Sequence, residues 1–196
     1  MTIITNTTIL TEVAEYYTSK LAQYGETPRG VDWNGEEGQT LRFEQLCKII
    51  DTENHFSIND LGCGYGALYE FLVSKNREFS YSGIDVSDSM IKAASQRYKD
   101  KSQAHFVIAS APNQVADFGV ASGIFNVRMG RTDDEWRSYL ETTLDILDRT
   151  SRVGFAFNCL TSYSDEDKKR DYLYYADPCV LFDLCKRRYS RNVALL

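Results

Sequence analysis

The chain has 196 residues, enough for one domain with a well-filled core, and its 43% hydrophobic and 26% charged residues are an ordinary globular balance. A formal net charge of −6 argues against nucleic acid or an anionic membrane as the main partner, because phosphate binding leaves a basic surface. Five widely spaced cysteines without a CxxC pair, and only two histidines, argue against a disulfide framework or an imidazole-rich metal site. The start of the chain lacks a signal-peptide pattern and no apolar run approaches about 18 residues, so the expected setting is the cytoplasm.

In chain order, Ala14, Tyr17, Leu21 and Tyr24 recur at helical steps and predict a first helix over 12–24, with Glu12 and Glu15 in its first turn. The polar stretch 25–38, with four glycines and Pro28, predicts a loop in which Trp33 stands alone. A second helix is predicted over 39–50, with Leu41, Phe43, Leu46, Ile49 and Ile50 mostly on one face. Alternation follows: strand 56–61, helix 66–76, strand 80–86, helix 88–99 capped by Ser87, strand 104–109, and a strand over 117–125 buried on both faces. Thr132 and Glu135 form a capping box that opens helix 133–148, and strand 152–160 comes next. Residues 161–176 are polar and tyrosine-rich. Asp177 before Pro178 starts a helix over 178–188, and the closing NVALL reads as a further strand.

Repeated β-α-β units predict an α/β fold: a three-layer, doubly wound, mostly parallel sheet in a single domain spanning 1–196. In such sheets ligands bind beyond the carboxyl ends of the strands. Those ends carry Gly62 to Gly66, Asp85 and Val86, Ser110 and Ala111, and Asn126 to Arg128, all expected to meet in one crevice.

The segment FSINDLGCGYG, 56–66, carries the most information. Gly62, Gly64 and Gly66 allow a tight turn and let a ligand approach the backbone. Asp85 ends the next strand 21 positions after Gly64, where a carboxylate can accept both hydroxyls of a ribose. A dinucleotide fingerprint has the spacing G-x-G-x-x-G, whereas the spacing here is G-x-G-x-G. Asp60, two residues before Gly62, repels a pyrophosphate and suits an ammonium group, which favours an amino-acid-bearing ligand over a nicotinamide dinucleotide.

The run Asp60-Leu-Gly-Cys-Gly-Tyr-Gly66 resembles motif I of the class I S-adenosylmethionine-dependent methyltransferases, and the similarity extends over about residues 12–196. The N-terminal YYTSKLAQYG resembles the lid helices of the small-molecule members, which makes 1–50 a lid and 56–196 the cofactor-binding core. The resemblance implies that Asp60, Gly62, Cys63 and Gly64 line the methionine half of S-adenosylmethionine. It implies that Asp85 holds the ribose, with Val86 and Met90 against the adenine, and that Asn126 faces the methyl group. Ser110 and Ala111 stand where the family has an acid and a small residue; the acid is absent here. The segment IFNVRMG lacks the Asn/Asp-Pro-Pro-aromatic motif of enzymes that methylate base amines. The family closes with an antiparallel hairpin of sixth and seventh strands, whereas this chain ends at NVALL, so the final strand is expected to be missing and its neighbour's edge open to a homodimer.

Tyr16, Tyr17, Tyr24 and Trp33 are candidates to cover the site, since an aromatic face gains from a sulfonium. Arg42 is a candidate partner of the cofactor carboxylate. Arg128 and Tyr163 are candidates for acceptor binding. His55 and His105 lie at the wrong ends of their strands, and Asp133 and Asp134 suit a helix first turn, so no catalytic base is assigned. The expected activity is methylation of a small-molecule acceptor at oxygen or nitrogen. The alternatives are a nicotinamide-dependent oxidoreductase and an S-adenosylmethionine-binding protein without turnover.

Overall fold

Five strands, all paired in parallel, form the sheet of the computed structural model, which describes residues 2–196, with side chains from Thr7 onward. They are β1 (Phe56–Leu61), β2 (Phe79–Asp85), β3 (Ala104–Ile108), β4 (Ala116–Ala121) and β5 (Ser151–Phe157), in the spatial order β3-β2-β1-β4-β5. The winding direction reverses between β1 and β4, and the crevice beyond their carboxyl ends is where such sheets bind ligands. The helices are α1 (Thr2–Tyr24), α2 (Glu36–Leu46), α3 (Ala67–Ser74), α4 (Asp88–Arg97), α5 (Asp133–Arg149) and α6 (Pro178–Arg188).

Side-chain alternation sorts the core into two layers. Phe56 and Ile58 of β1, with Phe79 and Tyr81 of β2, pack against Phe43 and Leu46 of α2 and Leu68 and Leu72 of α3. The other face offers Leu61, Ile84 and Ala121 to Ile9 and Val13 of α1, to Trp136, Leu140 and Leu144 of α5, and to Cys185 of α6. The predicted caps are formed. Ser87 accepts from Met90 N, Thr132 and Glu135 close the capping box, and Asp177 accepts from Cys179 N and Val180 N.

The link from β3 to β4, 109–115, contains no helix. The sheet face that such a helix would cover is correspondingly polar. Asn59, fully buried, donates to Gln114 O at 3.0 Å and Thr150 O at 3.2 Å. Asp117 of β4 accepts from Ser57 N at 2.8 Å and Ser57 Oγ at 2.7 Å, and pairs with Arg152 of β5. Three neighbouring strands are thus tied by one carboxylate.

Several boundaries differ from those the sequence predicts. α1 begins at Thr2, so Glu12 and Glu15 lie mid-helix; the polar TNTT run had hidden its first turns. Among its described side chains, Ile9 and Val13 are buried, whereas Tyr24 is exposed. α2 begins at Glu36 despite Gly38, and Leu41 points outward at 54% exposure. β4 stops at Ala121, because Gly123 adopts φ +83° and turns the chain. NVALL is not a strand. It is irregular, and Val193 packs against the core beside α6 instead of pairing. Among the described residues β5 therefore pairs with β4 alone, and the polar segment after it holds a separate two-stranded piece, Leu160–Thr161 with Tyr175–Ala176.

The Ser57 hydrogen bonds, with Arg152, hold the Asp117 carboxyl down at about 2. A depressed carboxylate contributes stability that is present above its unfolded value and is lost as pH falls through its folded value. Asp117→Asn is expected to flatten the acid limb of urea-monitored stability between about pH 4 and pH 2 while the wild type declines there. An unchanged acid limb in the variant would remove Asp117 as the cause.

Candidate active site

The turn after β1 is built for glycine. Gly62 N and Cys63 N both donate to Ile84 O, at 2.7 and 3.1 Å, which folds the chain back over the end of β2. Gly62 has φ +79°, and a Cβ there would lie 2.1 Å from Ile124 Cγ2. Gly64 has φ +54°, and a Cβ there would lie 2.9 Å from Val31 Cγ1. Both positions are therefore closed to side chains by backbone conformation and by neighbours.

Asp85 fixes this turn. One carboxylate oxygen accepts from Gly64 N at 2.9 Å and the other from Ser87 N at 2.9 Å, joining the glycine turn to the start of α4. Burial pushes its carboxyl up, and the backbone N–H groups oppose that. Asp60, at the end of β1, is 2% exposed and accepts from Tyr81 Oη at 2.5 Å. Burial first, with Asp85 adding and the Tyr81 hydrogen bond opposing, pushes Asp60 up to about 7.

The N-terminal segment covers the turn. A 3-10 turn over Pro28–Val31 brings Val31 onto Gly64, and the Trp33 ring lies against Gly123. Asp32 anchors this cover by accepting from Tyr16 Oη at 2.8 Å and Lys20 Nζ at 2.7 Å. Thr18 of α1 meets the Ser87 hydroxyl at 2.9 Å. Arg97 of α4 bonds Glu26 at 3.0 Å and Glu70 at 2.7 Å, and Arg131 pairs with Glu12 of α1.

Beneath the cover lies a cavity of about 310 Å³. Asp60, Gly62, Cys63, Gly64, Asp85, Val86, Met90, Ser110, Tyr17 and Trp33 all line it. The other candidates do not. Ala111 lies outside the lining. Asn126, expected at the end of β4, sits beyond the turn at Gly123; its Oδ1 accepts from Leu160 N at 3.1 Å and its carbonyl from Tyr174 N at 2.7 Å. Arg42 stacks on the Trp33 ring at 4.5 Å and donates to Gly38 O at 2.7 Å. Arg128 pairs with Asp133, and Tyr163 is 79% exposed.

Sequence reasoning missed Ser122, Gly123 and Ile124, which take the place expected of Asn126. Ending β4 at the Ser-Gly pair would have found them. It also missed Thr142 and Ile146 of α5, which line the cavity one and two helical turns beyond Tyr139. Their spacing from a stripe residue was the available signal. Among the described residues, the charged side chains lining the cavity are Asp60 and Asp85. Burial pushes the Tyr139 phenol up to about 12, and the Tyr17 phenol and Cys63 thiol well up, so all three hold their protons at neutral pH. Among the described residues no group of His, Cys, Asp and Glu could hold a metal ion.

Residues 59–149 match the family model described as "Methyltransferase domain". A Mycobacterium tuberculosis protein that carries the name methyltransferase Rv1506c is 56% identical over 149 residues, covering 76% of this chain and 90% of that protein. A malonyl-[acyl-carrier protein] O-methyltransferase from Paenibacillus sp. is 27% identical over 128 residues, covering 63% of this chain and 46% of that protein, so this chain spans under half of that relative. The solved structure of magnesium protoporphyrin IX methyltransferase from Synechocystis PCC 6803 with bound SAH shares the fold at a TM-score of 0.65 and 12% identity, covering 89% of this chain and 86% of that one. With the glycine turn, the acid ending β2 and the parallel sheet in place, the chain belongs to the class I S-adenosylmethionine-dependent methyltransferases.

Proposed function

We propose that the covered cavity binds S-adenosylmethionine and that the enzyme methylates a small acceptor at nitrogen or oxygen. The observation that carries this reading is the convergence of Asp60, the glycine turn, Asp85 and Met90 in one cavity closed by α1 and Trp33. The donor set fits the cofactor. Asp85 keeps free lone pairs for the ribose hydroxyls, Val86, Met90 and Ile124 form an apolar wall for the adenine, and Asp60 suits the ammonium.

When bound, the cofactor supplies a methyl group already activated by its sulfonium charge. The protein's part is to align the acceptor and exclude water. α1 and Trp33 supply the exclusion. Tyr17 and Tyr139 keep their protons and act as hydrogen-bond donors, not bases. With two acidic liners and no cationic one among the described residues, the cavity suits an uncharged acceptor or an amine over one that brings its own phosphate or carboxylate. Five cysteines without a disulfide fit the cytoplasm, and among the described residues no helix is long and apolar enough to cross a membrane. The open edge of β5, with Val153 at 66% exposure, fits a homodimer, which light scattering would detect.

Two outcomes test the cofactor site by isothermal titration. Asp85→Ala is expected to weaken S-adenosylmethionine by at least about tenfold, since a charge-assisted pair and the turn it holds are lost together; an unchanged affinity would remove Asp85 from the site. Trp33→Ala is expected to weaken binding by about tenfold, whereas Arg42→Ala, outside the cavity, costs only about twofold through the lost stacking on Trp33. The reverse ranking would mean that Arg42 holds the cofactor directly.

A further inference from the structure

We propose that Tyr81 is a positioning residue for the cofactor: its phenol keeps the Asp60 carboxylate ionised and aimed into the cavity, so that affinity for an ammonium-bearing ligand depends on a hydroxyl the ligand never touches. The inference rests on the cofactor reading above and assigns a role to a residue outside the cavity lining.

The geometry is specific. Tyr81 and Asp60 lie on the same face of adjacent strands, 1% and 2% exposed, with the hydroxyl 2.5 Å from Asp60 Oδ2. The Tyr81 ring cannot swing away, because Tyr69 and Phe106 pack on it at 5.3 and 5.7 Å. The titratable groups that act on Asp60 are Tyr81 and Asp85 of β2, Cys63 of the glycine turn and Cys47 after α2. Burial keeps both thiols protonated, and Asp85 repels. Among the described residues, no lysine, arginine or histidine bonds Asp60. Its charge rests on one donor, and a ligand ammonium would complete it. Burial and Asp85 push the Asp60 carboxyl up and the Tyr81 hydrogen bond pulls it down, to about 7, so that bond favours the ionised form.

The test is calorimetric titration of the full chain with S-adenosylhomocysteine from about pH 5.5 to 8.5, using wild type, Tyr81→Phe, Asp60→Asn and the double variant. Wild-type affinity is expected to rise as pH passes about 7, since the carboxylate is the binding form. In Tyr81→Phe the rise is expected to move up by about one pH unit, which makes binding about fivefold weaker at pH 7 and narrows the gap towards pH 8.5. Asp60→Asn is expected to bind weakly at every pH, with no further loss in the double variant. Should Tyr81→Phe fail to fold, a fluorotyrosine placed at position 81, a stronger donor, is expected to move the rise to lower pH. A Tyr81→Phe profile that tracks wild type, or a fluorotyrosine profile that does, overturns the proposal while leaving the cofactor reading intact. Wild type that binds no S-adenosylhomocysteine overturns both.

Discussion

The site depends on one carboxylate bonded to two backbone N–H groups. Asp85 receives Gly64 N on one oxygen and Ser87 N on the other, so the end of β2, the glycine turn and the start of α4 are fixed relative to one another. The turn needs such support because its three glycines, all at positive φ, leave the chain the most conformational freedom to lose on folding. Charge-assisted hydrogen bonds of this kind are about twice as strong as neutral ones. The same oxygens retain lone pairs towards the cavity, so under the proposed function one group both holds the turn and receives a ligand's hydroxyls.

The cover follows from that turn. Because Gly62 and Gly64 have no side chains, Ile124 and Val31 approach them directly, and Trp33 does the same at Gly123. The cavity is closed by apolar contacts over glycines, with the Asp32–Lys20 pair anchoring the cover and further ion pairs at its margins. Arg97 with Glu26 and Arg131 with Glu12 are partly exposed, and such pairs are worth about 1 kcal/mol or less. Under the proposed function, a cover held this way keeps water from the bound cofactor.

Much of this was legible in the sequence where a local rule decides. β1 and α6 fall where alternation and the Asp-Pro start placed them, and the caps at Ser87 and Thr132 formed as read. The glycine spacing and the acid at Asp85 pointed to the cavity. The failures lie where tertiary contact overrides pattern. The run from Phe118 to Phe125 is broken only by small residues, so periodicity could not show that Gly123 ends the strand and that Ile124 turns to pack on Gly62. That slip moved the expected ligand contact from Ser122 and Gly123 to Asn126. NVALL has strand composition but no strand to pair with, and Arg128 looked available only because its ion pair with Asp133 is set by the fold.

The central claim is that S-adenosylmethionine sits between the glycine turn and the N-terminal cover. Amide hydrogen exchange with and without S-adenosylhomocysteine locates the ligand on both at once. The expected result is slowed exchange at residues 62–66 and 28–33 together, with the β5 edge unchanged. Protection confined to another part of the sheet, or to the turn without the cover, would contradict it.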